Sequence, residues 1–433
     1  MHAESAYLFR HALLRDAAYQ LQLPGDRARL HGLAFAILQD ICNGPPPEPS
    51  RLGDSKGAPF SPHPADPFAE DLAAHARAAL PAAGDGRALA AAEALYLHRA
   101  AEFASQQYRH QAAERCWVRH AALVEGARRG ESLRRAGEAT LTQGRPGEAE
   151  ARFEEARALF RAVGEPGLEG CAVADLASMF QETGRCAEAE LAYRQALALH
   201  RASGNRHSEG VALGNLANVW QTSGRADEAE GAYEQALAIA RELRDPNSEA
   251  VALGNLALVH HTRGRLDQAE RTYEAALALH RQVGDRPFEG IVLGNLAVFY
   301  QITGRLPEAE RAYGQALGIQ REVGNRRWIG LVLGNLACLW RDTGQLDRAE
   351  AAFLEALETH RQVGDRRFEG AHECERALNL VYQARNAEAL LAWRHGRALL
   401  ESLRDRYQIE RLDAAMRAAC AKAGRAPFED GPA

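Results

Sequence analysis

The sequence contains almost no lysine. Of the 52 basic residues in this chain of 433, only Lys56 and Lys422 are lysine, so arginine carries nearly all of the positive charge. Neither lysine follows a glycine-rich loop, and the pattern Gly-x-x-x-x-Gly-Lys-Ser/Thr does not occur. Because a P-loop needs that lysine to reach the nucleotide phosphates, the sequence excludes a P-loop site.

Long apolar runs, a secretory signal and paired cysteines are also missing. A membrane-spanning helix needs about 20 consecutive apolar residues, and no run approaches that length. No basic segment followed by an apolar stretch opens the sequence. The seven cysteines include no Cys-x-x-Cys pair, which is typical of reduced thiols. We therefore expect a cytoplasmic protein without membrane contact, and the net charge of −6 gives no general attraction to nucleic acid.

Catalytic and metal-binding patterns are absent as well. No His-Glu-x-x-His motif occurs, and His200, His280 and His360 lie 80 residues apart, so we do not expect them to converge on one ion. Gly-x-Ser-x-Gly and the protein-kinase signatures are missing. The sequence therefore predicts a protein that is not an enzyme, with no catalytic residue, no cofactor and no metal.

What the chain does contain is a tandem repeat. Glycines recur every 40 residues from Gly144 to Gly344, and Leu-Gly-Asn-Leu-Ala begins at Leu213 and again 40, 80 and 120 residues later. A fixed period of this length is typical of a stacked array of identical supersecondary units. No insertion breaks the count between Gly144 and Gly370.

Each unit is predicted to hold two helices and no strand. Leu213, Leu216 and Trp220 lie at i, i+3 and i+7, the apolar stripe of an amphipathic helix. The glycine after each first helix can adopt the left-handed conformation that ends a helix. Ala229 and Tyr233 begin the same spacing in the second helix. The fold class is therefore all-α.

These residues resemble the tetratricopeptide repeat, whose Leu-Gly-x-x-Tyr and Ala-x-x-x-Phe patterns appear here as Leu216-Ala217-x-x-Trp220 and Ala229-x-x-x-Tyr233. The 40-residue period is longer than the usual 34, and the terminal proline is missing. The unit is similar to the longer subgroup of kinesin light chains and some G-protein signalling scaffolds. The resemblance implies a helical solenoid, a right-handed superhelix of antiparallel helix pairs.

The repeat and the proline content divide the chain. Eight of the 17 prolines lie between residues 44 and 67, a composition that favours an extended, mobile linker over helix or sheet. The array keeps its 40-residue register to residue 370. The end of a solenoid needs a polar capping helix. The expected domains are 1–43, the 44–67 linker, 68–130 with irregular repeat-like helices, 131–370 with six units, and 371–433 with a degenerate repeat and cap.

The first 43 residues carry a second resemblance. Phe9, His11, Arg15-Asp16 and Leu30-His31 occur in the order found at the end of the winged-helix region of bacterial STAND/AAA-type signal-transduction ATPases. In that family the segment links the nucleotide-binding core to a C-terminal repeat array. The resemblance implies that this chain is the C-terminal part of such a protein, from a split gene or a shortened reading frame.

The tetratricopeptide resemblance also implies a concave groove, lined by the second, fifth, ninth and twelfth positions of each first helix. An asparagine recurs beside it, and we favour an inter-repeat hydrogen bond over a ligand contact for this asparagine, while both stay open. Two explanations are equally favoured for the repeated glycines Gly214, Gly254, Gly294 and Gly334: close packing between neighbouring helices, and room for a bound peptide. The candidate partner-binding residues are Asn215, Asn218, Gln221, Asn255, His261, Asn295, Gln301, Asn335 and Arg341.

A row of arginines closes the second helices. Arg201, Arg281 and Arg361 lie near Glu209, Glu289 and Glu369 in the following turns, which predicts an ion-paired edge rather than a basic surface for nucleic acid.

Together these patterns predict a non-catalytic protein–protein interaction scaffold that binds a peptide or protein segment, in bacterial signalling. The alternative is the C-terminal regulatory or sensor part of a split or truncated STAND-type ATPase, or a regulator associated with a kinase or cyclase. Neither nucleic acid nor membrane is an expected partner, and the oligomeric state stays open.

Overall fold

The structure is a computed structural model, and it describes residues 23–48, 60–84, 86–403 and 405–424. Within these ranges it contains nineteen α-helices, two 3-10 turns at Asp66–Phe68 and Leu80–Ala82, and no strand. The predicted all-α fold class is confirmed. No helix in these ranges is long and apolar enough to cross a membrane.

Four helices precede the regular array and pack around one core. Phe35 of the first helix and Leu72 of the second meet Tyr96 and Trp117, all four of them buried. The helices are α1 (Pro24–Ile41), α2 (Ala69–Ala79), α3 (Arg87–Gln106) and α4 (His110–Ala121).

The remaining helices alternate between two kinds with a 40-residue spacing. We call the first of each pair the A helix and the second the B helix. The A helices are α5 (Gly126–Leu141), α7 (Pro166–Glu182), α9 (Arg206–Thr222), α11 (Pro246–Thr262), α13 (Arg286–Ile302), α15 (Arg326–Asp342), α17 (Arg366–Tyr382) and α19 (Arg406–Lys422). The B helices are α6 (Pro146–Ala162), α8 (Cys186–Ser203), α10 (Ala226–Glu242), α12 (Leu266–Val283), α14 (Leu306–Glu322), α16 (Leu346–Val363) and α18 (Asn386–Ser402).

The turns explain why the helices stop and start where they do. The glycine after an A helix has a positive φ, for example 77° at Gly184 and 80° at Gly344, a conformation that costs glycine little. Before the A helix α9, the Asn205 side chain accepts a hydrogen bond from the Ser208 backbone N–H at 3.1 Å. Asp285 caps α13 in the same way.

The predicted ion-paired edge is confirmed. Arg201 donates to Glu209 at 2.8 Å, and the same contact recurs at 2.8 Å from Arg281 to Glu289 and at 2.9 Å from Arg361 to Glu369.

The chain divides into two compact units, unit 1 ending at Gln235 and unit 2 beginning at Ala236. We describe each unit separately. In unit 2 the repeated tyrosines Tyr273 and Tyr313 pack with Leu293, Phe299 and Leu333 in one core. In unit 1 the corresponding aromatic residue Phe153 packs with Leu176 and Met179.

The recurring histidines fill space between paired helices. His200 and His360 are fully buried, each against a glycine of an A helix. A Cβ atom added to Gly170 would lie 2.7 Å from the His200 ring, and one added to Gly330 would lie 2.8 Å from the His360 ring. The glycines therefore admit a large B-helix side chain at these places. No group of metal ligands is present in the described ranges.

The segment expected to be a linker is folded at its C-terminal end. Asp66 is buried and accepts hydrogen bonds from the Arg99 guanidinium at 2.6 and 2.9 Å, and that guanidinium also lies over the Phe60 ring at 4.2 Å. Residues 60–67 therefore do not form the extended, mobile linker that their prolines suggested. Proline prevents a regular hydrogen-bonded ladder, yet it does not prevent packing around a buried ion pair.

The residues that carry the winged-helix resemblance lie mostly outside the described ranges, since Phe9, His11, Arg15 and Asp16 precede residue 23. Leu30 and His31 belong to α1, where His31 hydrogen-bonds to His75 of α2 at 2.7 Å.

Candidate functional site

In unit 2, three consecutive A helices present a row of half-exposed apolar side chains. We call this row, together with the polar residues interspersed in it, the A-helix face. Val251, Gly254, Asn255 and Leu258 of α11, and the residues 40 and 80 positions after each of them, include no charged residue. The apolar members are Val251 and Leu258 of α11, Ile291 and Val298 of α13, and Leu331 and Cys338 of α15.

An asparagine follows the glycine of each of these helices. Asn255, Asn295 and Asn335 are half-buried, and their side chains have no hydrogen-bond partner in the part of the chain that the structure describes. Asn215 of unit 1 has the same burial and likewise no partner there. The inter-repeat hydrogen bond that we favoured from the repetition is thus not found in these ranges. Each amide keeps its donor and acceptor capacity.

Helix packing does not require Gly254 or Gly294, the glycines that precede Asn255 and Asn295 in unit 2. A Cβ atom at Gly254 would lie 3.5 Å from Val292, and one at Gly294 would lie 3.7 Å from Val332, both ordinary contact distances. At Gly334 a Cβ atom would lie 2.1 Å from the His372 ring, so among Gly254, Gly294 and Gly334 only Gly334 is needed for packing. A methyl group would therefore fit at Gly254 and at Gly294, both of which are buried.

Tyrosines of the B helices form hydrogen bonds with several of the predicted site residues. In unit 1 the Tyr233 hydroxyl donates to the Asn218 and Gln221 side-chain oxygens, at 3.1 Å for Gln221. In unit 2 the Tyr313 hydroxyl donates to Gln301 at 3.0 Å. These hydrogen bonds orient the amides but use part of their capacity.

His261 is held differently. Its ring packs edge-on against Phe299 with 5.4 Å between ring centroids, and burial lowers the pKa of its imidazole, which favours the neutral form. Its Nδ1 is buried and has no hydrogen-bond partner among the described residues, and the same holds for the hydroxyl of the fully buried Tyr273.

Arg341 is engaged inside the protein. It donates to Glu375 at 2.6 Å and to Asp342 at 3.0 Å, and the side chains of Arg341 and Glu375 are only 11% and 9% exposed. Arg411 also donates to Glu375, at 2.9 Å. Burial acts to raise the pKa of Glu375, but the two guanidinium groups hold it below its usual value. Arg341 therefore ends the uncharged stretch of the A-helix face and offers little surface to a partner.

Sequence reasoning missed a charged network in unit 1. Arg134 of α5 occupies the repeat position of Gly254, and Asp175 of α7 occupies that of Asn255. Arg134 donates to Glu138 at 2.6 Å, to Asp175 at 2.8 Å and to Glu131 at 2.9 Å. Burial raises the pKa of Asp175 to about 6. The replacement of glycine and asparagine by a basic and an acidic residue at paired repeat positions was the signal for this network.

The tetratricopeptide repeat family matches five overlapping segments, 128–202, 168–242, 208–282, 248–322 and 288–362. Together they span more than half of the 433 residues. This chain belongs to the tetratricopeptide repeat family.

Solved structures of similar fold include three Rap proteins. A Rap protein complexed with Competence and Sporulation Factor is 12% identical, with a TM-score of 0.58, and the match covers 88% of this chain and 99% of that one. The apo form of RapI is 10% identical over 63% and 99% of the two chains, with a TM-score of 0.53. The Rap conjugation gene regulator of plasmid pLS20, in complex with the Phr* peptide, is 14% identical over 69% and 85%, with a TM-score of 0.52. No curated protein matches the sequence significantly.

Proposed function

We propose that this protein is a non-catalytic protein–protein interaction scaffold that binds a peptide or protein segment along the A-helix face. The observation that carries the proposal is the row of half-exposed apolar side chains in unit 2, interrupted once per helix by an asparagine without a hydrogen-bond partner in the described ranges. Apolar surface contributes binding free energy in proportion to the area it buries.

The asparagines suit the main chain of a bound segment. An extended polypeptide presents a backbone N–H and a C=O at nearly every residue, and a carboxamide can both donate to and accept from such groups. Asn255, Asn295 and Asn335 are the proposed contacts in unit 2, and Asn215 is their counterpart in unit 1. Asn218, Gln221 and Gln301 remain proposed contacts through the donor groups that their tyrosine bonds leave unused, His261 through its imidazole, and Arg341 only through its limited exposed surface.

The similar structures support the same class of ligand. Two of the Rap proteins were solved with Competence and Sporulation Factor and with the Phr* peptide, so proteins of this fold accommodate such ligands. A role in bacterial signalling and a cytoplasmic location complete the proposal.

A triple substitution tests it. A phage-displayed library of random 12-residue peptides is panned against the full chain, and enriched peptides are measured by fluorescence anisotropy. The Asn255→Ala, Asn295→Ala and Asn335→Ala variant should weaken their binding at least tenfold. Its melting temperature should hold or rise, because alanine is the better helix former. The control replaces the exposed B-helix residues Gln268 and Gln315 by alanine. Equal affinity of the triple variant and the unchanged protein would refute the proposed face.

A second candidate is the C-terminal regulatory or sensor part of a STAND-type ATPase. The winged-helix-like string from Phe9 to His31 favours it. The test is to read the DNA upstream of Met1. A continuous open frame that carries a P-loop would support this candidate, whereas a stop codon followed by a clear start signal would reject the truncated form.

A further inference from the structure

One tyrosine of the repeated series lacks the hydrogen bond that the others make. Tyr193 is hydrogen-bonded to Ser178 at 2.8 Å, and Tyr313 to Gln301 at 3.0 Å, so each hydroxyl finds a partner on its A helix. The Tyr233 hydroxyl reaches Asn218 and Gln221. Tyr273 has the same repeat position and no exposed surface, yet its hydroxyl has no hydrogen-bond partner in the described ranges.

Two substitutions within the A helix α11 explain the difference. Leu258 stands where unit 1 has Ser178 and Asn218, and His261 stands where other repeats have Gln221 and Gln301. The nitrogen Nδ1 of His261 is buried and unpartnered as well. Both rings pack against Phe299, with centroid distances of 5.4 Å for His261 and 6.2 Å for Tyr273. The two side chains that carry orphaned polar atoms therefore adjoin the same ring.

The hydroxyl of Tyr273 is not needed to fill space. Phe153 and Phe353 occupy the same position in other repeats and are equally buried. A buried hydroxyl without a partner costs free energy that phenylalanine would avoid. A polar group that packing does not require, beside a second one, is the pattern expected where a ligand supplies the missing hydrogen bonds.

We propose that His261 and Tyr273 form a subsite of the A-helix face that receives one uncharged, hydrogen-bonding side chain of the bound segment: asparagine, glutamine, serine or threonine. This inference rests on the proposed function and specifies the ligand class. The imidazole is half-exposed, the tyrosine hydroxyl is buried, and both rings contact Phe299. A hydroxyl or carboxamide can both donate and accept, as these two groups require.

The surroundings select against charge. Phe299 packs against both rings, and the apolar residues, glycines and asparagines of the A-helix face from Val251 to Cys338 include no charged residue. Moving an ammonium or carboxylate into such surroundings without an opposite charge is far more costly than moving a neutral group. The segment over α11 to α15 is therefore apolar, with a single neutral polar residue at the His261 position.

Peptides enriched from the same random 12-residue library provide the probe. Tyr273→Phe should weaken their binding at least fivefold while the melting temperature stays equal or rises, because an orphaned hydroxyl is removed. His261→Gln should likewise weaken binding and raise the melting temperature, because it restores the amide that partners tyrosine elsewhere. The matched control is Tyr193→Phe, whose hydroxyl already bonds Ser178; it should lower the melting temperature and leave affinity unchanged.

The outcomes separate the subsite from the face. Peptides that lose binding to the triple asparagine variant but bind Tyr273→Phe and His261→Gln at full strength would overturn the subsite and keep the face. Peptides indifferent to the asparagines, or a panning that enriches none, would overturn both. Enriched peptides that carry a charged residue where substitution scanning places the His261 contact would also overturn the subsite.

Discussion

Arg341 and Glu375 form a buried ion pair between α15 and α17, with 2.6 Å between nitrogen and oxygen. The guanidinium was a candidate partner contact in the sequence, and the structure instead assigns it to holding two A helices together. Arg411 of α19 extends the pair to a third A helix through its hydrogen bond to Glu375.

Removing one member of this pair should be costly. In this structure the Arg341 side chain is 11% exposed, and Glu375→Ala leaves its guanidinium with the Asp342 carboxylate and the backbone carbonyl of residue 375 as partners. Breaking a buried pair in this way costs about 3 to 5 kcal/mol. Urea denaturation followed by circular dichroism measures the change. The control is Arg327→Ala, which removes a surface pair to Asp365 worth about 0 to 1 kcal/mol. Equal losses in the two variants would contradict the buried role of Glu375.

Stability should fall in mild acid because of a histidine pair in unit 2. His360 and His372 are buried and hydrogen-bonded to each other at 3.0 Å. Burial, with the charge of the other histidine, lowers the pKa of His372 to about 3, and burial lowers the pKa of His360. The unfolded chain protonates both near pH 6.5, so it binds more protons than the folded state below that pH.

The stabilisation from the neutral His372 is therefore complete above pH 6.5 and is lost by about 1.4 kcal/mol per pH unit as the pH falls towards 3, and His360 adds a loss in the same direction. Urea midpoints at pH 7 and pH 5 measure this slope. The His372→Val variant carries the residue found at positions 292 and 332 and should show a shallower pH dependence than the unchanged protein. An identical slope in both proteins would exclude His372 as its source.

The glycines of the A-helix face should respond in opposite directions to alanine. Gly294→Ala should stabilise the fold by about 0.5 to 1 kcal/mol, because alanine is the better helix former and its Cβ atom finds an ordinary contact. Gly334→Ala should destabilise it by about 1 to 3 kcal/mol, because the His372 ring occupies that space. Urea denaturation distinguishes them. A destabilised Gly294→Ala variant would show that this glycine serves packing rather than access.

The pair Asp66–Arg99 should control the order of residues 60–67. Its side chains are only 2% and 7% exposed, so Asp66→Ala should cost about 3 to 5 kcal/mol of local stability. The structure around Phe60 should then open, and chymotrypsin should cleave after this residue many times faster than in the unchanged protein. The comparison variant, Glu70→Ala, removes an exposed pair to Arg115 and should leave the cleavage rate as it was. Unchanged cleavage at Phe60 in Asp66→Ala would show that the ion pair does not hold the segment.

Much of the fold follows from local patterns. Residues such as Leu213, Leu216 and Trp220 predicted the A helices, and the turn glycines predicted their ends, because helix periodicity and capping depend on neighbours within one or two turns. The predicted pairing of arginines with glutamates is confirmed across the turns after Arg201, Arg281 and Arg361, where the partners are eight residues apart.

The linker estimate failed over residues 60–67 because proline content reports on backbone hydrogen bonding and not on the distant partner. Arg99 lies 33 residues after Asp66 in the chain, and the proline-rich composition does not indicate that the two residues form an ion pair.

In the candidate site, too, the sequence determined some features and tertiary contacts decided the others. The sequence alone placed a glycine and an asparagine on the four A helices α9, α11, α13 and α15, because their spacing of 40 residues is a property of the chain. Which polar groups stay available was decided by tertiary contacts: Gln301 bonds Tyr313 while His261 and Tyr273 keep orphaned atoms, and Arg341 is taken by Glu375. Hydrogen bonds act over about 3 Å, so they depend on how helices pack side by side, and a linear pattern carries no such distances.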